Sequence, residues 1–226
     1  MTRRLFAAAL AILALGFIAL GAWQVERRAW KLALIDRVEA RLHAPARSLW
    51  DIGPLNEAQA YRRVTVTGVW LADRQTYVQA VTEHGPGFWV MTPLRTDHGV
   101  VLVNRGFAPP ERVAICQPGA TPAPVTVTGL VRASEPHGGF LRANEAAADR
   151  WYSRDIAAIG RARSLGHLAP VFIDADATPN PGDYPVGGLT VVAFRNAHLA
   201  YALTWFALAG LSLFGPVLLL SRRKEA

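Results

Sequence analysis

The stretch LFAAALAILALGFIALGAW, residues Leu5–Trp23, carries no charged side chain and determines how the whole chain is arranged. A helix needs roughly 20 apolar residues to cross the hydrocarbon core of a bilayer. A second uncharged stretch, LAYALTWFALAGLSLFGPVLLL, covers Leu199–Leu220 near the other end of the chain. The sequence therefore predicts two transmembrane helices, with nearly all the charged residues in the segment between them.

The flanks of these stretches predict the orientation of the chain. Arg3 and Arg4 precede the first stretch, and Arg222, Arg223 and Lys224 follow the second. Short basic tails stay in the cytoplasm, so both termini are predicted to be cytoplasmic and the middle segment to lie outside. A cleaved signal peptide is the alternative for the first stretch. Its apolar run is longer than the 7–15 residues of a signal core, which favours a retained anchor.

The two helices divide the chain into five segments. We predict cytoplasmic tails at 1–4 and 221–226, transmembrane helices at 5–23 and 199–220, and a periplasmic domain at 24–198. Within that domain Trp30, Leu34 and Val38 recur every four residues. This spacing predicts that the first helix continues to about residue 42.

The remainder of the outer domain has the pattern of short strands. Seven strands are predicted, at Arg63–Trp70, Gln75–Val81, Phe88–Leu94, Gly99–Phe107, Val125–Arg132, Pro170–Ala175 and Gly188–Phe194. One helix is predicted at Trp151–Leu165, with Asp155 among its first residues. The sequence VTVTG occurs twice, at Val64–Gly68 and Val125–Gly129, which suggests two similar strands bent at a glycine. We therefore expect an α+β domain, mainly antiparallel β, folded as a sheet or a small barrel.

Composition and motifs exclude several classes of function. The net charge is +7, but five of the 24 Lys and Arg residues lie in the two tails, which indicates a topology signal rather than a nucleic-acid site. Cys116 is the single cysteine, so the chain has neither an intrachain disulfide nor the paired thiols of a copper carrier. No common catalytic motif occurs, and we expect a non-enzymatic protein. A tethered periplasmic hydrolase remains an alternative, because catalytic triads are recognised by geometry rather than order.

Two polar and aromatic segments stand at the predicted outer ends of the membrane helices. The first is LGAWQVERRAWK, Leu20–Lys31, and the second is RNAHLAYALTWF, Arg195–Phe206. The predicted topology places both at one membrane face. An interfacial aromatic belt is the alternative explanation for their aromatic residues. These residues include Trp23, Trp30, Tyr201 and Trp205.

The second of these segments contains a candidate haem ligand. His198, Tyr201 and Trp205 recur at i, i+3 and i+7, on one face of a helix. Desolvation at a membrane edge favours neutral imidazole, which is a good axial ligand for haem iron. Arginine pairs well with carboxylates, so nearby arginines are candidates for binding haem propionates. They are Arg27, Arg28 and Arg195. An interfacial histidine without a ligand is the alternative.

Five sequence elements together resemble the Surfeit locus protein one family, the membrane assembly factors of cytochrome c oxidase. They are LGAWQVERRAWK at Leu20–Lys31, TPL at Thr92–Leu94, VLVNRGF at Val101–Phe107, RWYSRD at Arg150–Asp155 and RNAHLAYALTWF at Arg195–Phe206. Their order and the two-span layout also match the family. The resemblance implies a role in late maturation of haem-copper oxidase, in which the protein helps haem a reach the catalytic subunit.

The resemblance implies a role for one residue, and we infer roles for its neighbours. In bacterial members haem a binding is attributed to the histidine that matches His198, so His198 is the expected iron ligand. Around it we expect Trp23, Tyr201 and Trp205 to wall the macrocycle. Gln24 and Asn196 are candidate contacts to the formyl group or to the oxidase, and Arg27 and Arg28 are the expected propionate ligands. Two positions depart from the family pattern: Ala197 replaces a second asparagine, and Phe107 replaces a tryptophan.

The expected protein is an assembly factor of a bacterial inner membrane. A bacterial source is expected because the sequence starts at the anchor without an Arg- and Ser-rich presequence. Its expected partners are the catalytic subunit of cytochrome c oxidase, haem a synthase and membrane lipid. The main alternative is a cofactor-free scaffold that holds an oxidase subunit through a small-residue helix face. That face consists of Ala202, Ala209 and Gly210.

Overall fold

The computed structural model describes residues 2–118, 123–139, 142–177, 183–190, 194 and 196–221, with side chains described within 5–214. The chain forms two compact units. One unit combines Met1–Glu39 with Val192–Ala226, and the other is Ala40–Val191.

The first unit is helical. Helix α1 covers Thr2–His43 and ends two residues before Pro45, close to the end that the four-residue spacing predicts. Among the described residues, α1 is the one helix long and apolar enough to cross a membrane, over Leu5–His43. The second helix of this unit, α3, covers His198–Ser221, and its described apolar part is the shorter His198–Phe214. Membrane crossing by α3 therefore stays a prediction.

Small and aromatic side chains join α1 to α3 within this unit. The rings of Phe17 and Trp205 stack with their centroids 5.6 Å apart. One turn along α1, Gly21 lies against the ring of Phe206, where a Cβ atom would meet the ring at 2.6 Å. Three alanines are also buried in the helical unit, as in close-packed membrane helices. They are Ala14, Ala202 and Ala209.

The second unit is a β domain of seven strands. The strands are β1 Arg47–Ser48, β2 Arg63–Trp70, β3 Thr76–Thr82, β4 Gly85–Thr96, β5 Gly99–Ala108, β6 Val125–Ala133 and β7 Leu168–Ala175. Their order in the sheet is β1-β2-β6-β7-β5-β4-β3. A further pairing joins Val69 to Arg95 and Trp70 to Leu94, so β2 also contacts β4. Five strands thus form a closed barrel, antiparallel except for the parallel pair β5–β7.

The two VTVTG copies are partners in this barrel. They pair antiparallel, with Val64 opposite Gly129 and Gly68 opposite Val125. A Cβ atom on Gly68 would lie 2.3 Å from the carbonyl oxygen of Arg95, and one on Gly129 would lie 2.2 Å from that of Asp174. Each glycine therefore stands where the next strand of the barrel passes too close for a side chain.

The barrel wall separates two apolar clusters. Because side chains alternate along a strand, Val101 and Val103 of β5 join one cluster and Leu102 joins the other. The second cluster is covered by helix α2, Ile156–Ala162, whose Ile159 is fully buried. Asp155 caps this helix by accepting a hydrogen bond from the backbone N–H of Ala158 at 3.0 Å.

Two expectations about the elements need correction, and one observed element was not predicted. The helix predicted at Trp151–Leu165 is shorter than expected, because Trp151 pairs with Val78 at the edge of β3 instead. The strand predicted at Gly188–Phe194 is wrong at 188–190, which lie in no strand, while 191–193 fall outside the described residues. Gly188 has φ +74°, which a regular strand does not accommodate. The short strand β1 was not predicted.

Candidate functional site

His198 is held by a hydrogen bond that joins the two helices of the first unit. Its ring nitrogen Nδ1 lies 2.7 Å from Oε1 of Gln24. An amide oxygen can only accept a hydrogen bond, so Nδ1 of His198 carries the proton and donates it. In the neutral form of the ring, the second nitrogen, Nε2, then has a lone pair. Both side chains are half-buried.

The helix faces explain why these two residues meet. Phe17, Gly21 and Gln24 are spaced i, i+4 and i+7, so they share one face of α1. On α3, His198 and Trp205 share a face in the same way. The contacts of Phe17 with Trp205 and of Gly21 with Phe206 therefore continue into the hydrogen bond between Gln24 and His198. Packing of the apolar residues sets the position of the polar pair.

The other predicted site residues on α1 divide between two faces. Arg28 is one turn beyond Gln24 on the same face and is half-buried. The guanidinium of Arg27 instead stacks over Trp30, with its carbon 4.1 Å from the ring centre. Trp23 is about half exposed and lies on the face away from Gln24. Of these three, only Arg28 shares a face with the histidine contact.

The predicted residues around α3 also divide. Trp205 faces Phe17, whereas Tyr201 is 57% exposed and is not drawn into that contact. Asn196 is half-buried, and its Oδ1 is buried without a hydrogen-bond partner among the described residues. Arg195 lies outside the described residues. The structure thus brings together His198 and Gln24, with Arg28 and Trp205 on the two contacting faces.

The β domain contains a buried charged network that the sequence reasoning missed. Asp174 of β7 is 3% exposed and accepts hydrogen bonds from Asn104 at 2.8 Å, Arg132 at 2.9 Å and Arg154 at 3.1 Å. Thr190 also donates to Asp174, at 3.0 Å. These residues line a cavity of about 180 Å³. An aspartate inside the apolar run PVFIDA was the available signal.

The charges of this network are balanced by neighbouring groups. Burial opposes ionisation of Glu135, but the hydrogen bonds and the charge of Arg154 outweigh that effect and lower the pKa of Glu135. Burial likewise opposes the charge of Arg154, and its bonds to Glu135 and Asp174 nevertheless raise its pKa. Each charged group has opposite charges beside it, so the cluster is organised as internal ion pairs rather than as an anion site.

Arg105 of the VNRGF element is also internal. Its side chain is 6% exposed and donates to the carbonyl oxygen of Cys116 at 2.7 Å. Burial lowers the pKa of Arg105. The guanidinium lies over the ring of Trp70. The VNRGF element leaves two roles open for Arg105, contact with a partner or an ion pair that anchors the domain, and this buried position fits anchoring within the domain.

The remaining histidines give little support to a hydrolase. All five are exposed, and no hydrogen bond joins their rings to a serine in the described part of the chain. They are His43, His84, His98, His137 and His167. Within the same residues there is no cluster of three or more His, Cys, Asp or Glu side chains that could hold a metal ion. The Gln24–His198 pair is therefore the candidate site.

Comparison with known proteins establishes the family. The model of the SURF1 family matches residues 11–210, a range that includes Gln24, the β domain and His198. The chain belongs to the SURF1 family.

Its relatives in the SURF1 family match along most of their length. Surfeit locus protein 1 of Homo sapiens is 35% identical over 211 residues, which cover 84% of this chain and 69% of the human protein. The SURF1-like protein of Monosiga brevicollis is 37% identical over 218 residues, covering 86% of this chain and 79% of that protein. The SURF1-like protein of Caenorhabditis elegans is 31% identical over 223 residues, covering 84% and 66%.

Proposed function

We propose that this member of the SURF1 family assists the assembly of haem-copper cytochrome c oxidase by binding haem a and helping its insertion into the catalytic subunit. The role in oxidase assembly follows from the family. The part played by haem a rests on one observation, the half-buried His198 whose Nδ1 is engaged by Gln24 and whose Nε2 makes no hydrogen bond to the described residues. In this proposal the protein carries out no enzymatic reaction.

The residues present fit an axial ligand to haem. A histidine that ligates a metal commonly donates its other ring N–H to a protein acceptor, which is what His198 does towards Gln24. Haem a, when bound, supplies an iron that accepts the nitrogen lone pair. His198 would hold that iron, and Arg28 would offer a positive charge to a propionate from the same face of α1 as Gln24.

The structure changes the weight of the other expected ligands. Trp205 stays a candidate for the apolar wall, since its ring lies at the contact between the helices. Trp23 and Tyr201 are exposed, so an interfacial aromatic belt explains these two residues better, and the guanidinium of Arg27 is stacked on Trp30. Asn196 keeps its proposed role as a polar contact, because its buried oxygen lacks a partner among the described residues.

The proposed setting is a bacterial inner membrane. Helix α1 would cross it as an anchor and α3 as a second span, with both termini cytoplasmic. The region 24–198, with the β barrel, would then lie in the periplasm, and the His198 end of α3 at the outer membrane face. The catalytic subunit of the oxidase and haem a synthase are the proposed partners.

The scaffold alternative loses part of its basis in the structure. Two of the three small residues proposed to hold an oxidase subunit, Ala202 and Ala209, are buried within this chain's own helical unit. Gly210 remains exposed. A scaffold would therefore need another surface.

A visible absorption spectrum separates the two functions. The full-length protein is purified in detergent from cells that make haem a, beside His198→Ala and the matched control His167→Ala, which removes an exposed histidine of the β domain. The haem proposal predicts a bound chromophore in the wild type and the control, lost in His198→Ala. A colourless wild type that still copurifies with an oxidase subunit would refute haem binding and support the scaffold.

A further inference from the structure

We infer that Gln24 is a positioning residue for His198: its side-chain oxygen fixes the ring tautomer and orientation in which Nε2 is the atom available to a ligand. This inference rests on the proposed function for the identity of the ligand, but its first part concerns the protein alone. It also revises the expected role of Gln24, whose oxygen is engaged by His198 rather than free to meet a formyl group.

The chemistry of the two groups determines the direction of the hydrogen bond. Neutral imidazole carries one proton, on either nitrogen, and the partner of one nitrogen decides which form is present. The oxygen of Gln24 lies 2.7 Å from Nδ1, a normal distance for a bond in which Nδ1–H donates. With the amide oxygen of Gln24 turned towards the ring, as in this structure, the opposite tautomer would place a lone pair on Nδ1 against an oxygen lone pair, which is repulsive. In this orientation the pair selects the neutral form with the lone pair on Nε2.

The packing contacts beside Gln24 hold its acceptor oxygen next to the ring of His198. Gln24 is one turn beyond Gly21, which lies against Phe206, and two turns beyond Phe17, which stacks on Trp205. These contacts set the spacing of α1 and α3 at the level of the hydrogen bond. A ring held in one tautomer and one orientation loses little freedom when it binds a ligand, so preorganisation favours binding.

A purely structural role for Gln24 makes different predictions. If the hydrogen bond only joined the helices, its loss would lower stability without changing the ring chemistry of His198 in the folded protein. If Gln24 positions the ring, its loss changes the tautomer even in a protein that remains folded. Which ring nitrogen of His198 carries the proton is therefore the decisive property, and it can be measured without any haem.

The test uses nuclear magnetic resonance of the full-length protein in detergent, with ¹⁵N-labelled histidine and no haem present. The His198→Ala variant identifies the signals of His198 among the six histidines. At alkaline pH, where imidazole is neutral, we expect wild-type His198 to show one tautomer with Nδ1 protonated. Gln24→Leu should give mixed tautomers in a protein that remains folded, and Gln24→Glu, which keeps the acceptor oxygen, should restore the single form. Gln79→Leu, at an exposed site on β3, is the matched control.

Titration with haem a separates this inference from the proposed function. Loss of an outer partner of a ligating histidine typically weakens metal binding about 10–100-fold, so Gln24→Leu should lose affinity by that factor and Gln24→Glu should regain it. A wild type that binds no haem a, yet shows the single tautomer, would refute the proposed function and leave the role of Gln24 on the ring standing. The same tautomer in wild type and Gln24→Leu, with equal haem affinity, would overturn the inference alone.

Discussion

Replacement of Gly106 by alanine should destabilise the β domain through two separate effects. Gly106 has φ +131°, a conformation that residues with a side chain rarely adopt. An alanine Cβ there would also lie 2.1 Å from the carbonyl oxygen of Val186, whereas an ordinary carbon–oxygen contact is about 3.3 Å. That oxygen belongs to backbone that is hydrogen-bonded to Phe107 in both directions, so it cannot move without breaking the pairing.

The size of each effect can be estimated and separated by a control. A residue held in a sparsely populated conformation costs about 1–3 kcal/mol, and overpacking costs about another 1–3 kcal/mol. Gly106→Ala should therefore lower the free energy of unfolding by about 2–6 kcal/mol, a large part of the roughly 5–15 kcal/mol of a typical domain. Gly85→Ala is the control, because φ is +92° there and nothing lies within 4 Å of its Cβ, so only the first effect applies.

Amide hydrogen exchange by mass spectrometry on the full chain in detergent measures both variants. Peptides from β5 and β7 should exchange faster in Gly106→Ala than in Gly85→Ala, with about tenfold in rate for each 1.4 kcal/mol. Equal exchange in the two variants would refute the close approach of Val186 to the barrel strand. Exchange that does not change in either variant would refute the positive φ values as well.

Three further predictions concern packing and charge. Asp174→Ala leaves Arg132 and Arg154 without their buried partner, so the unfolding free energy should fall by about 3–5 kcal/mol. The control Asp73→Ala removes an exposed carboxylate and should change that free energy by less than about 0.5 kcal/mol. Thermal unfolding measures both variants, and equal effects would contradict the buried network. The folded-state pKa of Glu135 is lowered, so its ion pair with Arg154 stabilises the fold fully above the unfolded-state pKa, and this contribution is lost as the pH falls towards the folded-state pKa. Glu135→Gln should therefore reduce the slope of unfolding free energy against pH on the acid side. An unchanged slope would disprove the pairing. The stacked rings of Phe17 and Trp205 should show a coupling energy of about 0.5–1.5 kcal/mol in a double-mutant cycle of Phe17→Leu and Trp205→Leu. Thermal unfolding in detergent measures the stability of each variant. Additive effects of the two substitutions would exclude the contact.

Local pattern was sufficient to predict most of the β elements. The alternation of Val and Thr predicted β2 with its observed bounds. The observed strands β5 and β6 are each one residue longer than predicted. Closure of the barrel was outside the reach of such reasoning, because the pairing of Trp70 with Leu94 is a contact between strands that are not neighbours along the sheet. The repeated glycine predicted a bend in each strand, whereas the close approach of other strands to Gly68 and Gly129 was not predicted.

The residues of the candidate site could also be predicted, but the contact between them could not. Spacing and family resemblance selected His198 and Gln24 separately. Helix periodicity placed Tyr201 near the histidine face, yet Tyr201 is exposed, because the packed face is centred on the buried alanines. The bond between Gln24 and His198 depends on how α1 and α3 pack, and residues 174 positions apart give no local signal of contact. The charged network at Asp174 is likewise assembled from strands and loops distant in sequence.

Hyperfine spectroscopy of the oxidised haem a complex tests most directly the claim that Nε2 of His198 binds the iron. The complex is prepared twice, once with ¹⁵N only at the Nε2 position of histidine and once only at Nδ1, with His198→Ala as the blank. We predict that the strong hyperfine coupling to the iron-bound ring nitrogen comes from ¹⁵N in the Nε2-labelled sample and from ¹⁴N in the Nδ1-labelled sample. It should be absent in His198→Ala. A coupling that follows the Nδ1 label, or that persists in His198→Ala, would contradict the account.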